Sequence, residues 1–165
     1  MVKHCLMFVA LFLGIQAASA QTLTQGSLDV LRGEEYVKVV VDYSNAIIMD
    51  MTEEEFAEYE EDWYKDQPAI MSKFIEEANE ELDDILRLSK IKSTNYTLRW
   101  AVEWIDESGT IMSDFYLETA DGEVIAVIKR VKGKGGAFGT KLYLIKEGAE
   151  ETGESLGKFL KKQLR

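Results

Sequence analysis

Hydrophobic and polar positions along this chain change period several times, and each change predicts an element. From Tyr36 to Tyr43, Val37, Val39 and Val41 alternate with other residues, the period-2 pattern of a strand. Ser44 to Met51 reads as a turn. Thr52 and Glu55 then stand in the spacing of a capping box, in which Thr52 caps a helix and Glu55 reaches back. Phe56, Tyr59 and Trp63 fall on one face of that helix. Asp66 and Pro68 predict the start of a second helix, because proline suits a first turn. Met71, Ile75, Ala78, Leu82 and Ile85 form its buried stripe, carried to about Leu88.

The period then returns to two. Leu98, Trp100, Val102 and Trp104 alternate with Arg99, Ala101 and Glu103, a half-buried strand. Glu107-Ser108-Gly109 turns the chain into a strand carrying Ile111, Phe115 and Leu117. Asp121-Gly122 is a hairpin signal, since a type I′ turn wants positive φ at both central residues. Val124 to Val131 follows as the next strand. Gly133 to Gly139 is a glycine-rich loop, and the chain from about Thr140 reads as a helix, with Leu142–Ile145 as an alternative short strand. Ala149, Gly153 and Gly157 form a small-residue ridge suited to close packing on a sheet or another helix. Thr22 to Glu35 is polar and reads as a loose arm. The predicted order is β-α-α-β-β-β-α: an α+β domain of two layers, a four-stranded, mainly antiparallel sheet with helices on one face.

The first residues predict processing rather than structure. Lys3 and His4 precede an apolar run from Leu6 to Ile15, too short to span a bilayer, and Ala18-Ser19-Ala20 has the small-residue form of a cleavage site. The expected organisation is a signal peptide over 1–20 and a single domain over 21–165, secreted or periplasmic, beginning at Gln21. Removal of the signal takes with it Cys5 and His4, the chain's one cysteine and one histidine. The mature chain then lacks thiol and imidazole, which excludes Ser-His-Asp, Cys-His and zinc–histidine chemistry. It is expected to need no cofactor and no metal, and not to be an enzyme.

Charge narrows the partners. The formal net charge of −11 disfavours a nucleic-acid backbone or an anionic membrane surface. The acidic residues Glu53 to Asp62 and Glu76 to Asp84 lie opposite apolar stripes, as solvated helix faces do. Against this background Lys129, Arg130, Lys132, Lys134 and Lys141 form a basic island around the glycine loop. The loop matches neither phosphate-binding pattern: Thr140 precedes Lys141, and Phe138 stands where a third glycine would be needed. Lys132, Gly133, Lys134, Gly135, Gly136, Phe138, Gly139 and Lys141 are therefore the candidate contact loop for an acidic protein partner or a second copy. Trp100 and Trp104 are expected in the core, with Trp63 and Tyr64 as the more exposed aromatics.

The segment from Gly109 to Leu164 carries Thr119-Ala120-Asp121-Gly122-Glu123-Val124-Ile125-Ala126, the glycine loop, and Gly153 to Leu160 with its Leu156-Gly157-Lys158-Phe159-Leu160 run. It resembles small secreted bacterial envelope proteins of the Bacteroidetes type. It is also similar to the α/β lipoprotein-like domains of envelope transport and secretion assemblies. Gln21 stands where those lipoproteins have their lipidated cysteine, so no stable anchor is expected. The resemblance implies no catalytic residues. Together these readings predict a non-enzymatic domain acting by protein–protein binding or self-association in the cell envelope. A carboxylate-based glycan hydrolase and a small-ligand carrier are the alternatives; the first needs two spaced carboxylates in a cleft, the second an apolar pocket between sheet and helices.

Overall fold

A computed structural model describes residues 20–92 and 95–165. The apolar run expected as a leader lies outside the described residues, as do Ser93 and Thr94. The described chain is α+β, as the periodicity indicates, but its sheet has eight strands rather than four and is mixed rather than mainly antiparallel. In chain order the elements are β1 (Thr22–Gly26), a 3₁₀ turn (Asp29–Leu31), β2 (Tyr36–Asp42), β3 (Ile47–Ile48), β4 (Met51–Thr52), α1 (Glu53–Tyr59), α2 (Trp63–Leu82), β5 (Arg87–Ser89), β6 (Tyr96–Ile105), β7 (Ile111–Thr119), β8 (Val124–Gly133) and α3 (Lys141–Leu164). Six strands run in the order β1-β8-β7-β6-β2-β5, and the short β3–β4 hairpin attaches to the end of β6. The β6-β7-β8 meander is antiparallel, whereas β2 lies parallel to both β5 and β6.

The added strands are short and find their pairing elsewhere. The expected loose arm contains β1, which pairs antiparallel with β8, and Leu28 and Leu31, which are buried. At the other edge, Leu82, Ile85 and Leu88 fit a helical spacing, yet α2 stops at Leu82. Asp83 and Asp84 adopt left-handed backbone (φ 51° and 63°) and turn the chain out. Leu86 and Leu88 are then buried two residues apart, the spacing of a strand. Asn79 pins that strand to the helix: its Oδ1 accepts from Leu88 N at 2.7 Å and its Nδ2 donates to Leu88 O at 3.0 Å.

The helix starts follow local chemistry. The capping box forms, with Glu55 N donating to Thr52 Oγ1 and Thr52 N to Glu55 Oε2. Trp63 opens α2, five residues before Pro68, because its ring is held between Tyr43 and Phe56 in edge-on contacts at 5.1 and 5.2 Å and its Nε1 donates to Glu53 Oε1. Trp63 is thus fully buried, against expectation; Tyr64 is the exposed member of the pair. Leu142–Ile145 is helical, since Thr140 caps α3 through Tyr143 N.

Val37, Val39, Leu98, Trp100, Phe115, Leu117, Ala126 and Ile128 line one sheet face. There Phe74 of α2 stacks on Trp100 at 4.3 Å and beside Phe115 at 5.7 Å. The indole of Trp100 donates to Ser113 Oγ at 2.6 Å, which satisfies its N–H inside the core. Helices α2 and α3 meet through the small-residue ridge: Gly153 lies against the Phe74 carbonyl and Gly157 against that of Ala78, where a Cβ would collide. Trp104 is half-buried, displaced by a bulge between Val102 and itself.

Candidate functional site

Two surfaces gather chemistry-bearing side chains. The first is the end of the molecule carrying the expected contact loop. Its glycines are dictated by packing. Gly133 lies against Gly148 O and Thr152, and Gly135 against Ser108 O and Gly109. The amide of Gly135 donates to Thr110 Oγ1 at 3.2 Å, so it does not face outward to an anion. Lys132 O accepts from Ser155 Oγ at 3.0 Å. The loop is therefore held to α3 and to the β6–β7 turn along much of its length.

What this mount presents is aromatic as well as basic. Phe138 is 88% exposed at the loop apex, Tyr143 beside Gly139 is 51% exposed, and Tyr59 at the end of α1 is 60% exposed. Lys141 Nζ lies 4.1 Å from the centre of the Tyr59 ring, which joins the loop end to α1. Lys132 and Lys134 are exposed. Behind the loop is an open hollow of about 430 Å³ walled by Lys73, Lys134, Gly136, Tyr143, Lys146 and Glu147. The negative charge of Glu147 pushes the Tyr143 hydroxyl above its ordinary pKa. Lys146 reaches Asp66 at 2.8 Å and fastens α3 to the start of α2. The basic island thus has acids within it, and its lysines are divided: Lys132, Lys134 and Lys141 belong to this end, whereas Lys129 belongs to the second surface.

That second surface, on the sheet face turned away from the helices, is a hollow of about 470 Å³ walled by Asp42, Asn45, Arg99, Glu103, Asp114 and Tyr116. Two bulges converge on Asp114. Glu103 is the extra residue where β6 slips against β7, and Lys129 and Arg130 are the pair where β8 slips against β7. Arg130 takes φ 62° there, and its N–H donates to Asp114 Oδ1 at 3.1 Å. Asp114, only 2% exposed, also holds the Lys129 ammonium, which donates to the Tyr116 hydroxyl at 3.2 Å as well. This hydrogen bond to Asp114, foremost, raises the Lys129 pKa. Arg99 forms a second closed group, to Glu118 at 2.7 Å and Asp42 at 3.2 Å, with its guanidinium over the Tyr116 ring.

Glu103 differs from these paired groups. Its side chain as a whole is exposed, but its carboxyl sits against Asp114, and desolvation followed by the Asp114 hydrogen bond raises its pKa. In the sequence Arg99 and Glu103 stand on the outward side of a strand, and nothing local unites them with Asp114 and Lys129. The available signal is Asp114 itself, a carboxylate set between Ser113 and Phe115 in a buried stretch of β7.

No family model matches the chain, and no curated protein matches it either. Among solved structures, it is similar to a PelC dodecamer from Paraburkholderia phytofirmans at 13% identity and TM-score 0.42, over 82% of this chain and 97% of that one. A point variant of that PelC dodecamer gives 15% identity and TM-score 0.41, over 83% and 98%. An uncharacterized protein gives 12% identity and TM-score 0.42, over 80% and 91%.

Proposed function

We propose that this chain is a non-enzymatic secreted or periplasmic domain that works by protein–protein binding or self-association, and that the loop end is its contact surface. The observation that carries this reading is the mounting of Phe138: a phenyl ring 88% exposed on a loop whose glycines are packed against α3 and the β6–β7 turn. An aromatic held out on a rigid support loses little conformational entropy on binding, and aromatic anchors dominate contact energetics. Tyr59 and Tyr143 widen the apolar part of the surface, and Lys132, Lys134 and Lys141 supply attraction to an acidic partner or to the acidic helices of a second copy.

The alternatives gain less support. Two-carboxylate glycan hydrolysis needs groups roughly 5 Å or more apart across the scissile bond. Glu103 and Asp114 instead line the same hollow side by side, near enough for Asp114 to help raise the Glu103 pKa. A carrier needs space between sheet and helices, and the Trp100–Phe74–Phe115 stack occupies the centre of that layer.

Replacing Phe138 and the three lysines with serine tests the reading. Melting temperature should fall only slightly, since Phe138, Lys132 and Lys134 are exposed and the single Lys141–Tyr59 contact lies at the surface. Association, measured by sedimentation or by capture from an envelope extract, should weaken, most strongly at low salt. Unchanged association at low ionic strength would remove the loop end from the contact surface.

A further inference from the structure

The open sheet face is separate from the loop end, and its charges leave a specific demand. Arg99 is closed off by Asp42 and Glu118, and Lys129 by Asp114 and Tyr116. Among the described residues no lysine or arginine forms an ion pair with Glu103. The side chain faces a hollow of about 470 Å³ that also presents Asn45 and the Tyr116 hydroxyl. The face shows how it holds a cation. Lys129 brings one ammonium to a carboxylate and a phenol oxygen together, with its Nζ 5.3 Å from the Tyr116 ring centre. Carboxylate, amide and phenol oxygens supplied by three separate parts of the chain, Glu103 on β6, Asn45 after β2 and Tyr116 on β7, suit a compact ammonium with three donors better than a planar guanidinium. The planar position between Asp42 and Glu118 is already taken by Arg99.

We propose that this hollow is a binding site for a ligand bearing a primary ammonium group, such as a lysine side chain or a small alkylamine, with Glu103 as its counter-ion and Asn45 as a second acceptor. The groups facing Glu103 are Asp114 and Tyr116 from β7, Lys129 and Arg130 from β8, and, along the same wall, Arg99 from β6 and Asp42 from β2. Because its carboxyl titrates above the ordinary range, affinity for an ammonium should grow as pH rises through that titration and then level off. An ammonium at Glu103 would also relieve its repulsion with Asp114, whereas a neutral or anionic ligand would not.

The test is an amide-shift titration of the ¹⁵N-labelled protein with Nα-acetyl-lysine methylamide, repeated with the Nε-acetylated, uncharged analogue. The expected result is a saturable set of shifts at Asp42, Asn45, residues 101–103 and 114–116, absent with the uncharged analogue. Glu103→Gln should weaken binding about tenfold or more, and Asn45→Ala by a smaller factor. The same titration on Glu76→Gln, which alters an exposed helix acid, should match wild type. Shifts scattered over the acidic faces of α1 and α2, equal binding by the Glu103→Gln variant, or equal binding of the uncharged analogue would each overturn the proposal. The serine variants of the loop end should bind the amine normally, so the fate of this site is independent of the contact-surface reading.

Discussion

Replacing Gly153 by alanine sets two effects of opposite sign against each other. Alanine is the better helix former by about 1 kcal/mol in a helix interior, so propensity alone predicts a more stable protein. Packing predicts the reverse. A Cβ at Gly157 would sit 2.7 Å from Ala78 O and from Glu81 Cβ, short of the 3.4–4 Å of ordinary contact. At Gly153 it would meet Phe74 O more closely still, with Phe74 C at 3.0 Å and Ala78 N at 3.2 Å behind it. These are backbone atoms in the middle of α2 and cannot swing aside as a side-chain end can. Relief requires α2 and α3 to part, and Phe74 would then lift from the Trp100 stack. Overpacking of this kind costs about 1–3 kcal/mol, and the backbone obstacle puts Gly153 at the upper end. The net expectation for Gly153→Ala is a loss of about 2 kcal/mol after the propensity gain. For a chain of this size that is a fall in Tm of about 4–8 °C. Gly157→Ala should cost less, about 1 kcal/mol, since its 2.7 Å approaches to Ala78 O and Glu81 Cβ need a smaller parting of the helices than the approach to Phe74 O. Thermal and urea unfolding followed by circular dichroism would measure both, with an unchanged urea slope showing that the unfolded state is not the cause. A Gly153→Ala protein as stable as wild type, or less affected than Gly157→Ala, would refute the close-approach argument.

Other perturbations probe separate parts of the fold. Ser113→Ala removes the acceptor of the Trp100 indole in the core and should cost about 1–3 kcal/mol, read by urea unfolding and accompanied by a change in tryptophan fluorescence. Thr52→Ala should cost about 1 kcal/mol by opening the cap of α1. The backbone hydrogen bond from Thr52 holds Glu55 below the usual carboxylate range. Its contribution is therefore present above the unfolded-state value and is lost as pH falls through the lower native one, so the Thr52→Ala penalty should shrink in acid. Glu103 has the opposite sign. Its native pKa is raised, so its stabilising effect is full below the unfolded-state value and disappears as pH rises through the native one. Glu103→Gln should accordingly flatten that stretch of the stability–pH curve.

What could be seen in the sequence follows from where the information resides. Strands β2, β6, β7 and β8 each carry a run of alternating apolar residues, and the cap of α1 is a four-residue motif, so local pattern suffices. Strand β1 offers Leu23 as its single large apolar residue, and β5 consists of three residues whose one leucine, Leu88, also fits the helical spacing of Leu82 and Ile85. Only the partners, β8 for one and Asn79 with β2 for the other, decide them. That also explains the mixed sheet, since the parallel pairs of β2 lie across the whole α1–α2 connection. Loop glycines look alike in sequence whether they cradle an anion or admit a neighbouring backbone. At Gly133 and Gly135 the difference lies in Gly148, Thr152 and Ser108, none of them adjacent in sequence. The polar sheet face was hidden for the same reason, because two register slips bring Glu103, Lys129 and Arg130 to Asp114.

Arg32 gives the chain a particular order of assembly. Its guanidinium donates to the carbonyls of Leu164 and Gln163 at 2.8 and 2.9 Å, closing the last turn of α3 from the opposite end of the sequence. Gln21 likewise reaches Ser155, and β1 waits for β8. The first described residues are thus paired with β8 and α3, so these contacts form only once those distant elements are in place. Such long-range closure slows folding. It also ties the residues on either side of β1 to the final helix, Gln21 at Ser155 and Arg32 at its last turn, so the strand and the helix hold the same edge of the molecule.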